Sequence, residues 1–287
     1  MIIYKDEGYR IWDSHSHFSN LVSKFTRILL KVLTTNEMDD IIFTNWNRIK
    51  NTTKGRKERN ILRYKLLLDL NHIDKAVHLP VFKLDRKLSY RMNELYPDRF
   101  FGFGYINPRS KSLDEDLQEL VTNNVYGIKM HPEMMKFTFK EYHNELLEVF
   151  QFCGENKIII LSHTGSHSFL LNIKPILKEC EETVFIIGHS GLCPQISEAV
   201  LIAKEFPNSY LETSGNPYTY KFMEAIKDPD IGVERILFGT DIPTLNPRVE
   251  IQKVLALPIS VEEKRMIFSY NLENLMKSFL KAKYKAN

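Results

Sequence analysis

The chain is poor in cysteine. It has three in 287 residues (Cys153, Cys180, Cys193), none at a CxxC spacing. Three thiols cannot build a disulfide framework, and such sparse use suits a reducing compartment. Long apolar runs are missing too. No stretch approaches the ~18 residues that a membrane span needs, and Met1-Ile2-Ile3-Tyr4-Lys5-Asp6-Glu7 lacks the apolar core of a signal peptide. The expected location is therefore the cytoplasm, with no membrane partner. Charge of one sign is not in excess, since the formal balance is only +3. Lysine and arginine cluster at Lys54–Arg59 and Lys281–Lys285, but without interleaved aromatics these runs read as solvated faces. No nucleic-acid partner is expected. The 12 glycines form no dinucleotide-binding fingerprint.

What is present is a repeated alternation of short apolar runs and helical patterns. Eight runs stand out: Tyr9–Trp12, Lys75–Leu79, Phe100–Ile106, Val125–Met130, Lys157–Leu161, Thr183–Ile187, Ser209–Leu211 and Arg235–Phe238. Several are nearly continuous in branched and aromatic residues, as parallel strands buried on both faces are. Between them, Leu113–Val121 and Asn144–Cys153 carry apolar residues at helical spacing. Alternating strands and helices imply a parallel sheet. Eight strands without a dinucleotide fingerprint favour a (β/α)8 TIM barrel over an open doubly wound sheet. A barrel needs about 250 residues, so residues 1–287 read as a single domain. An insertion at about 18–60 follows the first strand. It reads either as a lid over the active rim or as a helix pair packed outside. Pro175 interrupts the pattern over Ser166–Glu181, so that helix is kinked or starts late, and Pro247–Asn287 reads as two or three closing helices.

The chemistry sits where the apolar runs end. The first run leads into Asp13-Ser14-His15-Ser16-His17. Alternate residues of a strand share a face, so Asp13, His15 and His17 are expected to point the same way, and two imidazoles at that spacing can converge on one cation. Later runs end in His163, His189 and Asp241, each beside glycine or proline loop residues. One polar residue at a strand end is ordinarily a cap. Five on the C-terminal rim of one barrel are hard to explain as caps, because catalytic groups gather there.

Taken together, DxHxH, GxKxHP, HTG, GHSG and GTDxP resemble the amidohydrolase superfamily. They look most like the amidohydrolase-related branch that includes aminocarboxymuconate-semialdehyde decarboxylase. The match runs from residue 9 to about 276. This resemblance implies a distorted barrel and one divalent metal, zinc first and manganese second, held by His15, His17, His163 and Asp241. It also implies a catalytic role for His189 beside the metal. The residues are consistent with those roles: a three-histidine, one-carboxylate site leaves room for a water of lowered pKa, and Asp241 could accept its proton. Asp13 could orient a ligand imidazole from behind. Lys129 is expected to bind a substrate carboxylate or phosphate, and the less favoured alternative is a carboxylated Lys129 bridging a second metal. His131, Ser214 and Arg248 are further candidates for substrate contact. TatD-like deoxyribonucleases share HxH but would carry an acidic residue where Lys129 stands. His72, His78, His143 and His167 read as structural histidines, and Cys193 shows no partner base.

The leading expectation is hydrolysis of an ester, lactone or amide of a small anionic substrate. The alternative on the same metal site is a non-oxidative decarboxylase, and a third reading is a barrel that binds a ligand without catalysis. A homodimer would be the commonest oligomer.

Overall fold

The computed structural model describes residues 8–18, 56–165 and 169–277. Most of the 18–60 insertion lies outside these residues, and with it the expectation of a lid; His167 lies outside them too. Nine short strands alternate with helices in chain order. They are β1 (Trp12–Ser16), β2 (Lys75–His78), β3 (Phe100–Gly102), β4 (Gly104–Tyr105), β5 (Gly127–Met130), β6 (Ile159–His163), β7 (Phe185–Gly188), β8 (Ser209–Glu212) and β9 (Ile236–Leu237). The helices are α1 (Arg56–Leu70), α2 (Arg86–Leu95), α3 (Leu113–Thr122), α4 (Pro132–Met135), α5 (His143–Glu155), α6 (Lys174–Glu179), α7 (Leu192–Glu205), α8 (Thr219–Lys227), α9 (Pro247–Leu255) and α10 (Val261–Arg265).

Every strand pairing is parallel and sequential, in one set β1-β2-β3 and another running from β4 to β9. β3 and β4 are two halves of the single run Phe100–Ile106, interrupted at Phe103, whose amide donates to the His78 carbonyl at 3.0 Å. Eight strand positions therefore surround the core. The far seam is joined where Ser14 N–H donates to Phe238 O at 2.9 Å, Asp241 N–H to His15 O at 2.7 Å and His17 N–H to Ile242 O at 2.7 Å. This is the (β/α)8 barrel that the alternation implied.

Two apolar layers hold it. Alternate strand residues such as Val77, Leu79, Phe101, Phe103, Ile159, Leu161, Ile186 and Leu237 fill the barrel interior. Their neighbours, among them Ala76, Phe100, Ile128, Ile160, Phe185, Ile187 and Ile236, pack outward against the helices. The longer helices meet them with stripes at helical spacing, such as Ile61, Tyr64 and Leu68 on α1 or Leu146, Val149, Phe150 and Cys153 on α5, all fully buried. Burying one such side chain contributes about 1.5–3 kcal/mol. Below the strands, Trp12 packs with Leu272, Leu275 and Met276 and closes the floor.

Two local expectations need correction, and an alternative left open is decided. The first strand is Trp12–Ser16 rather than Tyr9–Trp12, because its polar residues are fully paired in the interior and need no solvent. Asp13 pairs with Ala76 and Ser16 with His78, so three steps on β1 match two on β2. That bulge takes Asp13 out of phase with His15 and His17, contrary to the period of two. The helix around Pro175 starts late: a 3-10 turn over Leu170–Ile173 leads into α6, where Pro175 occupies the first turn and its missing N–H costs nothing. From Pro247 to the last described residue, 277, the chain is largely helical as expected, with α10 opened by a capping box between Ser260 and Glu263.

Candidate metal centre

The C-terminal ends of five strands deliver polar side chains to one point above the inner apolar layer. β1 supplies His15 and leads to His17, β5 supplies Lys129, β7 leads directly to His189, β8 ends in Glu212, and β9 leads to Asp241. His189 and Asp241 both have left-handed backbones, at φ 61° and 53°. Such strain in non-glycine residues persists only where the surroundings impose it, and it concentrates at functional sites. Room at the centre comes from glycine: a Cβ at Gly188 would stand 2.7 Å from the Ser162 carbonyl oxygen and 3.2 Å from His15 Cε1.

Hydrogen bonding assigns the protons. His17 Nδ1 lies 2.8 Å from the Leu79 carbonyl, which can only accept, so Nδ1 carries hydrogen. His189 Nδ1 lies 3.1 Å from the Ser214 carbonyl and carries one for the same reason. His15 Nδ1 donates to Glu212 Oε2 at 2.7 Å. All three Nε2 atoms are thereby left for the interior. His15 Nε2 and His17 Nε2 are 3.1 Å apart, and His17 Nε2 is 3.2 Å from Asp241 Oδ1. Acceptors brought this close repel unless a shared proton or a cation lies between them. Lys129 supplies one positive charge, its Nζ 3.2 Å from His15 Nε2. Two imidazole nitrogens at such a separation can both reach one ion at about 2.0–2.1 Å. The donor set thus fits a divalent metal.

Burial dominates the electrostatics. Desolvation holds His15 well below its ordinary pKa, pulls His189 down to about 4 and brings Lys129 down to about 8. It pushes Glu212 up to about 7 and Asp13 up to about 8, against the hydrogen bonds each accepts. For Asp241, burial acts upward but is outweighed by its neighbours His17, His189 and Lys129, so its carboxyl lies below the usual range. Neutral His15 and His189 beside one ionised carboxylate suit a metal, which takes deprotonated ligands.

Some expected residues fall elsewhere. His163 does not share the tight contacts of His15, His17 and Asp241. It stacks on His131 at 4.0 Å and meets His189 edge-on at 4.7 Å. Among the described residues, two groups bring ligand atoms mutually close, His15/His189/Asp241 and His131/Glu133/His163. Asp13 touches no imidazole side chain: it accepts from Thr240 N at 2.9 Å, Thr240 Oγ1 at 2.5 Å and the His15 amide at 3.0 Å. The bulge in β1 is the reason. Ser214 is fully buried behind His189, with its Oγ 2.9 Å from His189 Nδ1, rather than facing a substrate. Arg248 is half-buried in the first turn of α9. His78 is structural, bonded to Ser89 Oγ and the Phe18 carbonyl. Glu212 is the residue that sequence reasoning passed over. Its signal was present, an acidic residue ending an apolar run as His163 and Asp241 do.

Among the described residues, no helix is long and apolar enough to cross a membrane. A family model described as amidohydrolase matches residues 77–274. It begins after β1, so the placing of His15 and His17 rests on the geometry above. No curated protein matches the chain. Among solved structures, an uncharacterised TIM-barrel protein from Bordetella bronchiseptica superposes with a TM-score of 0.70 at 18% identity, over 94% of this chain and 99% of that one. A 2,6-dihydroxybenzoate decarboxylase from Rhizobium gives 0.62 at 16%, over 94% and 98%. A 5-carboxyvanillate decarboxylase from Novosphingobium aromaticivorans, complexed with manganese and a nitrobenzoic acid, gives 0.62 at 16%, over 95% and 97%. With the model covering most of its length, the chain belongs to the amidohydrolase family.

Proposed function

We propose that the protein is a metal-dependent decarboxylase that removes CO2 from a small unsaturated or aromatic carboxylate. The observation that carries this reading is Lys129. Its amino group is fully buried at the centre, beside His15 and Asp241, where a fixed cation suits a substrate carboxylate better than a neutral ester. Support also comes from solved structures of the same fold whose names record decarboxylases. His15, His17 and Asp241 would hold the ion, manganese or zinc. When bound, that ion would supply positive charge to orient the substrate and withdraw electrons from it.

The chain's own groups account for the rest. Lys129 holds one carboxylate oxygen. His189, neutral and with its Nδ1 proton committed to Ser214, offers Nε2 as an acceptor to a substrate hydroxyl. Loss of CO2 leaves an electron pair on the carbon that carried it, and one proton must reach that carbon. Asp241, ionised at rest, can take this proton from the substrate's own hydroxyl and return it to carbon. The same ionised Asp241 favours hydrolysis as the second reading, because there too a base is needed for a water proton.

The two are separated by stoichiometry. The protein loaded with manganese or zinc would be incubated with hydroxybenzoates, including 2,6-dihydroxybenzoate and 5-carboxyvanillate. One CO2 released per substrate consumed, with solvent deuterium on the vacated carbon, is the expected result. Turnover of esters or lactones with 18O from water in the product, and no CO2 from any carboxylate, would overturn the decarboxylase reading.

A further inference from the structure

We infer that Glu212 is the positioning residue of this centre, setting the tautomer of His15 and tying it to the turn that carries His189. Glu212 ends β8 and is fully buried. Its Oε2 accepts from His15 Nδ1 at 2.7 Å, from the His189 amide at 2.9 Å and from Ser214 Oγ at 2.8 Å, while Oε1 accepts from the Ser214 amide at 2.5 Å. Every partner is a donor, so only a carboxylate satisfies all four at once. Because Glu212 takes the Nδ1 proton, His15 Nε2 is left as the lone pair that a metal needs. The same oxygen fixes the left-handed residue His189, and Ser214 passes the constraint on through its Oγ and carbonyl to His189 Nδ1. One side chain thus couples a metal ligand on β1 to the imidazole after β7. Gly239 is part of the device, since a Cβ there would overlap Glu212 Oε1.

Glu212→Gln tests this, because the amide has the same shape but one oxygen becomes a donor. With nitrogen toward His15, the imidazole must turn to its Nε2–H tautomer. With nitrogen toward Ser214, two N–H groups face each other. The inference rests on the metal reading for its affinity readout, so a second readout is taken without metal. In chelator-treated, 15N-histidine-labelled protein, nitrogen NMR is expected to show His15 protonated at Nδ1 in the native chain and displaced from that form in Glu212→Gln. Manganese and zinc affinities, measured by chelator competition, are expected to fall about 10–100-fold in Glu212→Gln. Glu212→Asp, which keeps an acceptor, is expected to retain the Nδ1–H tautomer and regain part of the affinity. A native metal-free protein with His15 protonated at Nε2 would overturn the inference without any variant. So would a Glu212→Gln chain that binds metal as tightly as the native one. If Glu212→Gln does not fold, Glu212→Asp with the Nε2–H form overturns it equally. A native protein that binds no metal but shows the Nδ1–H tautomer removes the metal reading and leaves the positioning role standing.

Discussion

Asp13 and Glu212 are both buried carboxylates within reach of His15, yet they do different things. Asp13 meets the backbone of His15 and Thr240, whereas Glu212 meets the imidazole. Position within a strand pair decides which, and neighbouring glycines decide whether the carboxylate fits at all. For Gly239→Ala, where the new methyl would collide with Glu212 Oε1 and stand 2.8 Å from His15 Cβ, we expect metal affinity to drop by at least 10-fold, the lower end for a displaced supporting group. Competition with a fluorescent chelator measures it. A second expectation concerns His78, which is fully buried. Burial holds its pKa at about 4 against the opposing Phe18 carbonyl. The unfolded chain takes up this proton below about 6.5, and the folded chain does so only near 4. Stability from His78 is therefore whole above about pH 6.5 and is lost as the pH falls toward 4, by about 3 kcal/mol at most. Urea midpoints across that window should fall less in His78→Gln than in the native protein.

At the scale of elements, the loop after β8 matters most, because Ser214 within it contacts His189 from behind. That loop is held by α9. Lys253 Nζ donates to the carbonyls of Thr213 at 3.2 Å and Asn216 at 3.0 Å, and Glu250 accepts from the Gly215 amide at 3.2 Å. Lys253 and Glu250 are themselves ion-paired. Lys253→Met would leave two carbonyls and a buried carboxylate without their donor, a loss of about 1–3 kcal/mol. Denaturant unfolding should show that loss. The double variant with Glu250→Gln should cost less than the two single losses together, because the pair acts as one unit. A double variant costing the full sum would mean the two residues hold the loop independently.

Across the whole molecule, the barrel is closed by backbone bonds from β1 to the segment after β9, and that seam runs directly through the candidate metal centre. Asp241 N–H donates to His15 O, and His17 N–H to Ile242 O. An ion held by side chains on both sides of the seam would clamp it. Metal is therefore expected to raise global stability, by about 2.7 kcal/mol at a free concentration 100 times its Kd. Thermal unfolding with manganese or zinc and then with excess chelator checks this. An unchanged midpoint would show that the folded chain does not bind the metal more tightly than the unfolded one. In the layer outside the strands, Phe238→Ala should cost about 3–5 kcal/mol in either state, since Phe238 is fully buried against Phe268 at 5.2 Å.

Composition and periodicity determined the alternation of strands and helices, the eight strand positions and the residues at the strand ends. These follow from local spacing, because a strand buried on both faces must be apolar until it reaches the rim. His15, His17, His163, His189 and Asp241 were legible for that reason, and Lys129 through the family resemblance. Tertiary structure alone decided which of them meet. The extra residue on β1 turned Asp13 away from the imidazoles, a register that depends on pairing with β2. His163 went to the side of His131, and Ser214 went behind His189. Glu212 acquired its role only when β1, β7 and β8 came together, because a carboxylate is assigned by the donors around it and those lie far apart along the chain.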